Sequence, residues 1–284
     1  MKIGIVGLGL IGASLAGDLR HHGHEVYGVS RRGSTCETAL ARGLVDFAQP
    51  DLALLRATDV VFLCTPIHTI IPTLAALVPH LHADVIVTDV ASVKTAIAQP
   101  ATHLWPGFIG GHPMAGTADQ GIDAAQANLF QGAPYVLTPT ETTDPTQLET
   151  LKALIAPLGV RLYQCSPEDH DQAVAWISHL PVMVSAALIH ACDQETQGNI
   201  FTLAQQLASS GFRDTSRVGG GNPELGRLMA EYNQPALLKS LKIYQQQLHN
   251  LITLIDLKQW EEVEAKLQQA HGDRPHYLGQ FPPA

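Results

Sequence analysis

Up to about residue 165 the chain alternates short β-branched apolar runs with longer stretches in which apolar residues recur every three or four positions. The runs at 3–6, 25–29, 60–64, 85–89, 108–110, 135–138 and 161–164 read as strands. Between them, 10–22, 69–80, 92–103 and 145–158 read as amphipathic helices. Strands alternating with helices predict a mainly parallel, doubly wound α/β sheet covered on both faces. Past about residue 166 the strand signals stop, and 167–195, 199–207, 223–232 and 235–269 carry helical periodicity around a Gly/Asn loop at 219–222. The expected division is an α/β domain over 1–165 and an all-helical domain over 166–284, with the proline-rich segment from 275 on at the surface or frayed.

The first strand runs into Gly7-Leu8-Gly9-Leu10-Ile11-Gly12, a GxGxxG that opens a helix. In that context the glycines permit a tight turn and close backbone approach, and a pyrophosphate can lie on the helix's first amides, Leu10 and Ile11 included. The first domain is therefore expected to be a Rossmann-type dinucleotide-binding domain. The second strand ends in Ser30-Arg31-Arg32-Gly33-Ser34-Thr35 and lacks the Asp or Glu that usually meets the ribose 2′-hydroxyl of NAD. A hydroxyl and a guanidinium fork suit a 2′-phosphate, so NADP is expected, held by Ser30 and Arg31 with help from Arg32 or Thr35. Thr65 and Pro66 follow another strand end and are expected to flank the cofactor.

Two later strand ends carry polar sets, Asp89-Val90-Ala91-Ser92-Val93-Lys94 and Gly111-His112-Pro113-Met114-Ala115-Gly116. His112 is a natural general base near neutral pH, and the neighbouring Ser92 hydroxyl is expected to fix its tautomer. His179 sits in an apolar helical run just before Pro181, which removes a helix hydrogen bond and predicts a kink there.

Composition narrows the partners. A net charge of −9 argues against a nucleic-acid groove, so an anionic substrate must meet locally placed cations. Cys36, Cys64, Cys165 and Cys192 show no CxxC spacing and read as reduced thiols. No signal-like segment opens the sequence, and the apolar stretch at 180–191 is shorter than a membrane span, so a cytoplasmic protein with no membrane partner is expected. None of the 14 histidines has metal-site spacing, and no metal is expected.

The motifs GLGLIG (7–12), DVASVK (89–94), GHPMAG (111–116), WISHLP (176–181) and GFRDTSRV (211–218) resemble, in order, those of the prephenate and arogenate dehydrogenases of tyrosine biosynthesis. The resemblance implies His112 as the histidine that accepts the C4 hydroxyl proton as hydride leaves, with Ser92 beside it. It implies His179 on the carboxylate side of the substrate and Arg217 as the carboxylate anchor, with Arg213 as a second anchor or an ion-pair partner of Asp214. It further implies oxidative decarboxylation of arogenate, or alternatively prephenate; the all-helical half that follows a nucleotide-binding half separately predicts a homodimer formed through the helical domain. The chain departs from the family in Gly219-Gly220-Gly221-Asn222-Pro223, where an acidic residue and an aromatic are usual. A fused mutase or regulatory domain is not expected. Two other readings are a β-hydroxyacid-type dehydrogenase, disfavoured because no lysine lies between Lys152 and Lys239, and an NADP-binding sensor without turnover.

Overall fold

The computed structural model describes residues 1–117, 119–195 and 199–278. The first half runs β1 (Lys2–Val6), α1 (Leu10–His21), β2 (Glu25–Val29), α2 (Gly33–Ala41), β3 (Phe47–Gln49), β4 (Val60–Leu63), α3 (Ile70–Leu77), β5 (Ile86–Asp89), α4 (Thr95–Leu104), β6 (Phe108–Pro113), β7 (Pro134–Thr138), α5 (Pro145–Ile155) and β8 (Arg161–Gln164). The second half is α6 (Pro167–Val174), α7 (Leu180–Glu195), α8 (Asn199–Leu207), α9 (Ser210–Ser216), α10 (Pro223–Tyr232), α11 (Gln234–Asp256) and α12 (Trp260–Tyr277).

The eight strands form one sheet in the order β3-β2-β1-β4-β5-β6-β7-β8. Neighbours from β3 to β6 pair in parallel, β7 is antiparallel to β6, and β8 is parallel to β7. The apolar runs are continuous because both faces are covered. Ile3, Ile5, Val60 and Phe62 pack with α1 and α5 on one face; Val61, Leu63, Val85 and Val87 pack with α3 and α4 on the other. Burying a side chain such as Phe62 contributes roughly 1.5–3 kcal/mol before entropy is counted.

Several boundaries differ from the sequence pattern for identifiable reasons. β3 has too few residues to show periodicity, and α9 is a short polar helix. The predicted strand at 108–110 continues to Pro113, because residues 110–113 find a ladder on β7, with Gly110 opposite Thr138 and His112 opposite Val136. The helix expected at 92–103 starts at Thr95, which leaves Ser92 in the preceding loop. The helix expected over 235–269 is interrupted after Asp256. There Lys258 adopts a left-handed φ of 56°, its amide bonds to Ile255 and that of Gln259 to Leu254, the hydrogen-bond pair of a helix C-terminal stop. Pro275 lies inside α12, not in a frayed tail, whereas residues 279–284 of that expected tail lie outside the described residues.

α6 and α7 are joined by a π turn, Ala175–His179, into one helical stretch, Pro167–Gln194, in which an 18-residue window has a mean hydropathy of 1.5. Its 28 residues make it long enough to cross a membrane, contrary to the expectation drawn from 180–191 alone. The additional turns, however, contain buried His170, Asp171 and His179, which hydrogen-bond to other elements of the fold. The wide turn also accommodates Pro181: opening the i→i−4 ladder removes the clash of the pyrrolidine ring with the carbonyl four residues earlier.

Met1–Leu237 forms one compact unit and the described residues from Leu238 on form a second. The second unit carries exposed Leu248, Ile252 and Ile255 at helical spacing along α11.

Candidate active site

The carboxyl ends of β1, β2, β4, β5 and β6 all open at one edge of the sheet, where ligands bind in open α/β folds. The glycine loop lies there. Gly7 has φ 101°, and a Cβ on it would sit 2.5 Å from the Cys64 carbonyl oxygen. A Cβ on Gly12 would stand 1.9 Å from the Gly7 oxygen, so helix and loop can meet only if residue 12 is glycine. Gly9 faces open space. The first intrahelical bond of α1 runs from the Ala13 amide to the Gly9 carbonyl (2.9 Å), so the Leu10, Ile11 and Gly12 amides precede it and are available to an anion. The buried Thr65 Oγ1, past β4, has no partner among the described residues, and Pro66 beside it is exposed. This cradle fits a dinucleotide.

Ser30, Arg31 and Arg32 lie between β2 and α2. The Ser30 hydroxyl accepts a long hydrogen bond from the Arg32 amide (3.4 Å), and both arginines are exposed. Thr35 lies in the first turns of α2, half-buried, its amide bonded to the Arg32 carbonyl.

Across the same edge the polar groups are buried and already paired. Asp89, at the end of β5, accepts from the Ala91 amide (3.0 Å) and the Gly111 amide (3.1 Å) and forms an ion pair with Lys94. The Lys94 ammonium also donates to the Gly111 carbonyl (2.7 Å). Burial pulls the Lys94 pKa below its usual value against the opposing charge of Asp89. On α6, Asp171 accepts from the backbone amides of Lys94 (2.7 Å) and Thr95 (2.8 Å), capping the start of α4 where the helix dipole favours an anion. Its neighbour His170 stands with Nε2 2.8 Å from Nδ1 of His112, and with Nδ1 2.8 Å from Asp171 Oδ1. Burial, with smaller contributions from the facing His170, Lys94 and His179, holds the His112 pKa well below the ordinary imidazole value, so the ring is neutral near pH 7.

His179, fully buried in the π turn, is tied to the same cluster by Asn233. Asn233 Nδ2 donates to the Asp171 carbonyl (2.8 Å) and also lies 3.1 Å from His179 Nδ1. The atom that donates to a carbonyl is an amide nitrogen, so Nδ1 of His179 accepts and Nε2 carries the hydrogen. That Nε2 is buried with no partner at good hydrogen-bond geometry among the described residues, although the Ser92 backbone acts on the same ring, and Ser92 Oγ is likewise buried without a partner. Burial lowers the His179 pKa to about 4, against the pull of Asp171.

The structure thus brings His112 and His179 into one network but gives Ser92 no hydrogen bond to His112; the nitrogen that a hydroxyl was expected to hold is held by His170. Arg213 is exposed and pairs with Asp214 (3.0 Å). Arg217, also exposed, opens the 3₁₀ turn after α9, and that turn is clamped to α7: Ser185 Oγ donates to the Thr215 carbonyl (2.8 Å) and accepts from the Gly219 amide (2.9 Å). Among the described residues the Arg217 guanidinium has no hydrogen bond or ion pair, leaving it available to an anion. His170, Asp171, Asn233, Asp89 and Lys94 received no role from the sequence. The available signal was Asp89 and Lys94 standing in otherwise apolar surroundings; His170-Asp171 reads as an ordinary solvated helix start. No group of three or more His, Cys, Asp or Glu side chains suited to a metal occurs among the described residues.

A β3-β2-β1-β4-β5-β6 sheet with a glycine cradle at its carboxyl edge and neutral imidazoles beside it defines a nucleotide-binding dehydrogenase. Two family models match the chain, prephenate dehydrogenase nucleotide-binding domain over residues 15–164 and prephenate dehydrogenase dimerization domain over 166–269. The chain belongs to this prephenate/arogenate dehydrogenase family of oxidoreductases. The cyclohexadienyl dehydrogenase of Zymomonas mobilis is 33% identical over 260 residues, 89% of this chain and 88% of that protein. The crystal structure of Synechocystis arogenate dehydrogenase has 68% identity and a TM-score of 0.88, covering 98% of this chain and 100% of that one. The prephenate dehydrogenase of A. aeolicus, in complex with hydroxyphenyl propionate and NAD⁺, has 28% identity and a TM-score of 0.92, covering 98% of each.

Proposed function

We propose that the chain oxidises and decarboxylates arogenate to tyrosine, with NADP as hydride acceptor. The single observation that carries the substrate assignment is the 68% identity to an arogenate dehydrogenase over nearly the whole chain. Prephenate is the second substrate to consider, because more distant relatives bear its name, the A. aeolicus enzyme at 28% identity among them. The Ser30-Arg31-Arg32 end of β2 supports NADP: exposed cations stand where a carboxylate would repel a 2′-phosphate.

His112 Nε2 accepts the proton of the C4 hydroxyl. The bound nicotinamide supplies the acceptor for the C4 hydride. As the ring carboxylate departs as CO₂, its bonding electrons enter the ring, and the C4 oxygen becomes a phenolate that takes back the proton from His112. The His179 Nε2–H and the Arg217 guanidinium are donors for substrate carboxylates, and their placement fixes the ring for transfer. Arg213, engaged by Asp214, is an auxiliary anchor. Ser92, whose buried hydroxyl has no partner among the described residues, is read as a group for cofactor or substrate.

The functional division we infer places cofactor binding in 1–165 and substrate closure and dimerisation in 166–284. The matched dimerization-domain model and the exposed Leu248-Ile252-Ile255 stripe support a homodimer. Cys36, Cys64 and Cys165 are free thiols, in keeping with a cytoplasmic enzyme. The reading is tested by absorbance at 340 nm with arogenate or prephenate, each with NADP or NAD. Fast reduction with arogenate and NADP is expected; turnover of prephenate alone would move the substrate, and no reduction in any mixture would favour a sensor over an enzyme.

A further inference from the structure

β6 carries His112 to the sheet edge, and α6 sets a second imidazole against it. His112 and His170 are 7% and 2% exposed, and their facing nitrogens are 2.8 Å apart, a hydrogen bond in which one nitrogen carries the proton and the other a lone pair. The far end of the chain of contacts decides which. Burial alone would raise the Asp171 carboxyl, but the hydrogen bond from His170 and the amides of Thr95 and Lys94 outweigh it and hold the group below the ordinary carboxylate value. Asp171 is therefore an anion and only accepts. His170 Nδ1, at 2.8 Å from Asp171 Oδ1, carries its hydrogen toward that carboxylate, and Nε2 is the ring nitrogen left to accept. His112 then donates through Nδ1, and the lone pair of its own ring lies on Nε2.

We propose that His170, aligned by the Asp171 carboxylate, is a positioning residue that locks His112 in the Nδ1–H tautomer and so presents Nε2 as the basic atom. The proposal rests on the reading of His112 as the base. Without His170 the buried ring can take the opposite tautomer, in which Nε2 already bears a proton and accepts nothing. The groups facing the pair are Asp89 and Lys94 from β5 and the loop after it, Asp171 from α6, and His179 from the π turn. Lys94 is neutralised by Asp89, which leaves Asp171, acting through His170, as the anion that offsets the imidazolium formed when Nε2 takes a proton. The same carboxylate caps α4, so the alignment of His170 is anchored on backbone and not on a free side chain.

The test uses the full chain with ¹⁵N-labelled histidine near pH 8, the His112 signals being identified by their loss in His112→Asn. Wild type is expected to show a protonated Nδ1 and an unprotonated Nε2 at His112. In His170→Leu, which has no acceptor, the His112 signals shift toward the Nε2–H form, and kcat falls about 10²-fold with KM and cofactor affinity nearly unchanged. In His170→Gln, whose amide oxygen can accept the same hydrogen, the tautomer returns and kcat recovers about tenfold or more relative to leucine. A wild-type His112 protonated at Nε2, or equal losses in the two variants, would overturn the proposal. Should His170→Leu fail to fold, the wild-type spectrum and the glutamine variant decide alone. The tautomer is read without turnover, so a protein that oxidises neither substrate refutes the functional reading while the spectrum still judges this one.

Discussion

The two sides of the sheet's carboxyl edge solve opposite problems. At the β1–β2 side the chain offers backbone amides and exposed arginines that wait for a ligand. At the β5–β6 side Asp89, Lys94, Asp171 and the facing nitrogens of His112 and His170 are buried and already paired with one another. An open site can change its ligand preference with little effect on folding. A buried network links chemistry to stability, because each of its members also fills another's hydrogen-bonding capacity.

The strongest way to break that contrast is His112→Asn. Turnover should fall about 10²- to 10⁴-fold while NADP affinity, measured by fluorescence titration, stays at the wild-type value; a comparable fall in cofactor affinity would mean the two sides are not separable. Next is Asp171→Asn, which sets an amide against the Lys94 and Thr95 N–H groups. The urea midpoint should drop by the equivalent of about 3 kcal/mol, since a buried partner is removed. Arg31→Ala should cost nothing measurable in stability and should weaken NADP by about 1.5–3 kcal/mol, leaving NAD nearly unaffected. Equal weakening of both would remove the phosphate argument.

The smallest effect concerns acid. His112 and His179 have folded-state values below the ordinary imidazole 6.5, that of His179 about 4, so the unfolded chain binds more protons than the folded one in between. Stability is full above pH 6.5 and declines as pH falls from there toward 4. Chemical denaturation across that range should show the slope, and His179→Gln should flatten it.

Much of the cofactor side was legible because its logic is local: the glycines, the β2 end and the strand–helix alternation all fall within short windows. Strand positions could be read because both faces are buried, which gives unbroken apolar runs. The buried network could not be read, because its members lie far apart in sequence. His170 bonds to a residue 58 positions earlier and Asp171 to amides 76 and 77 positions earlier. Near Ser166, which caps α6 through the Asp169 amide, His170 and Asp171 look like ordinary N-terminal helix polarity. The π turn left only Pro181 as a trace, and the break at Lys258 has no sequence signature, since lysine rarely adopts a positive φ.

The Asp171 carboxylate that caps α4 also bears on how the chain folds. Its partners, the Lys94 and Thr95 amides, lie 77 and 76 positions earlier, so the start of α4 has no local side-chain cap and is satisfied only when α6 closes that long loop. Contacts of such separation slow folding, and this one ties the sheet and α6 into the single compact unit Met1–Leu237.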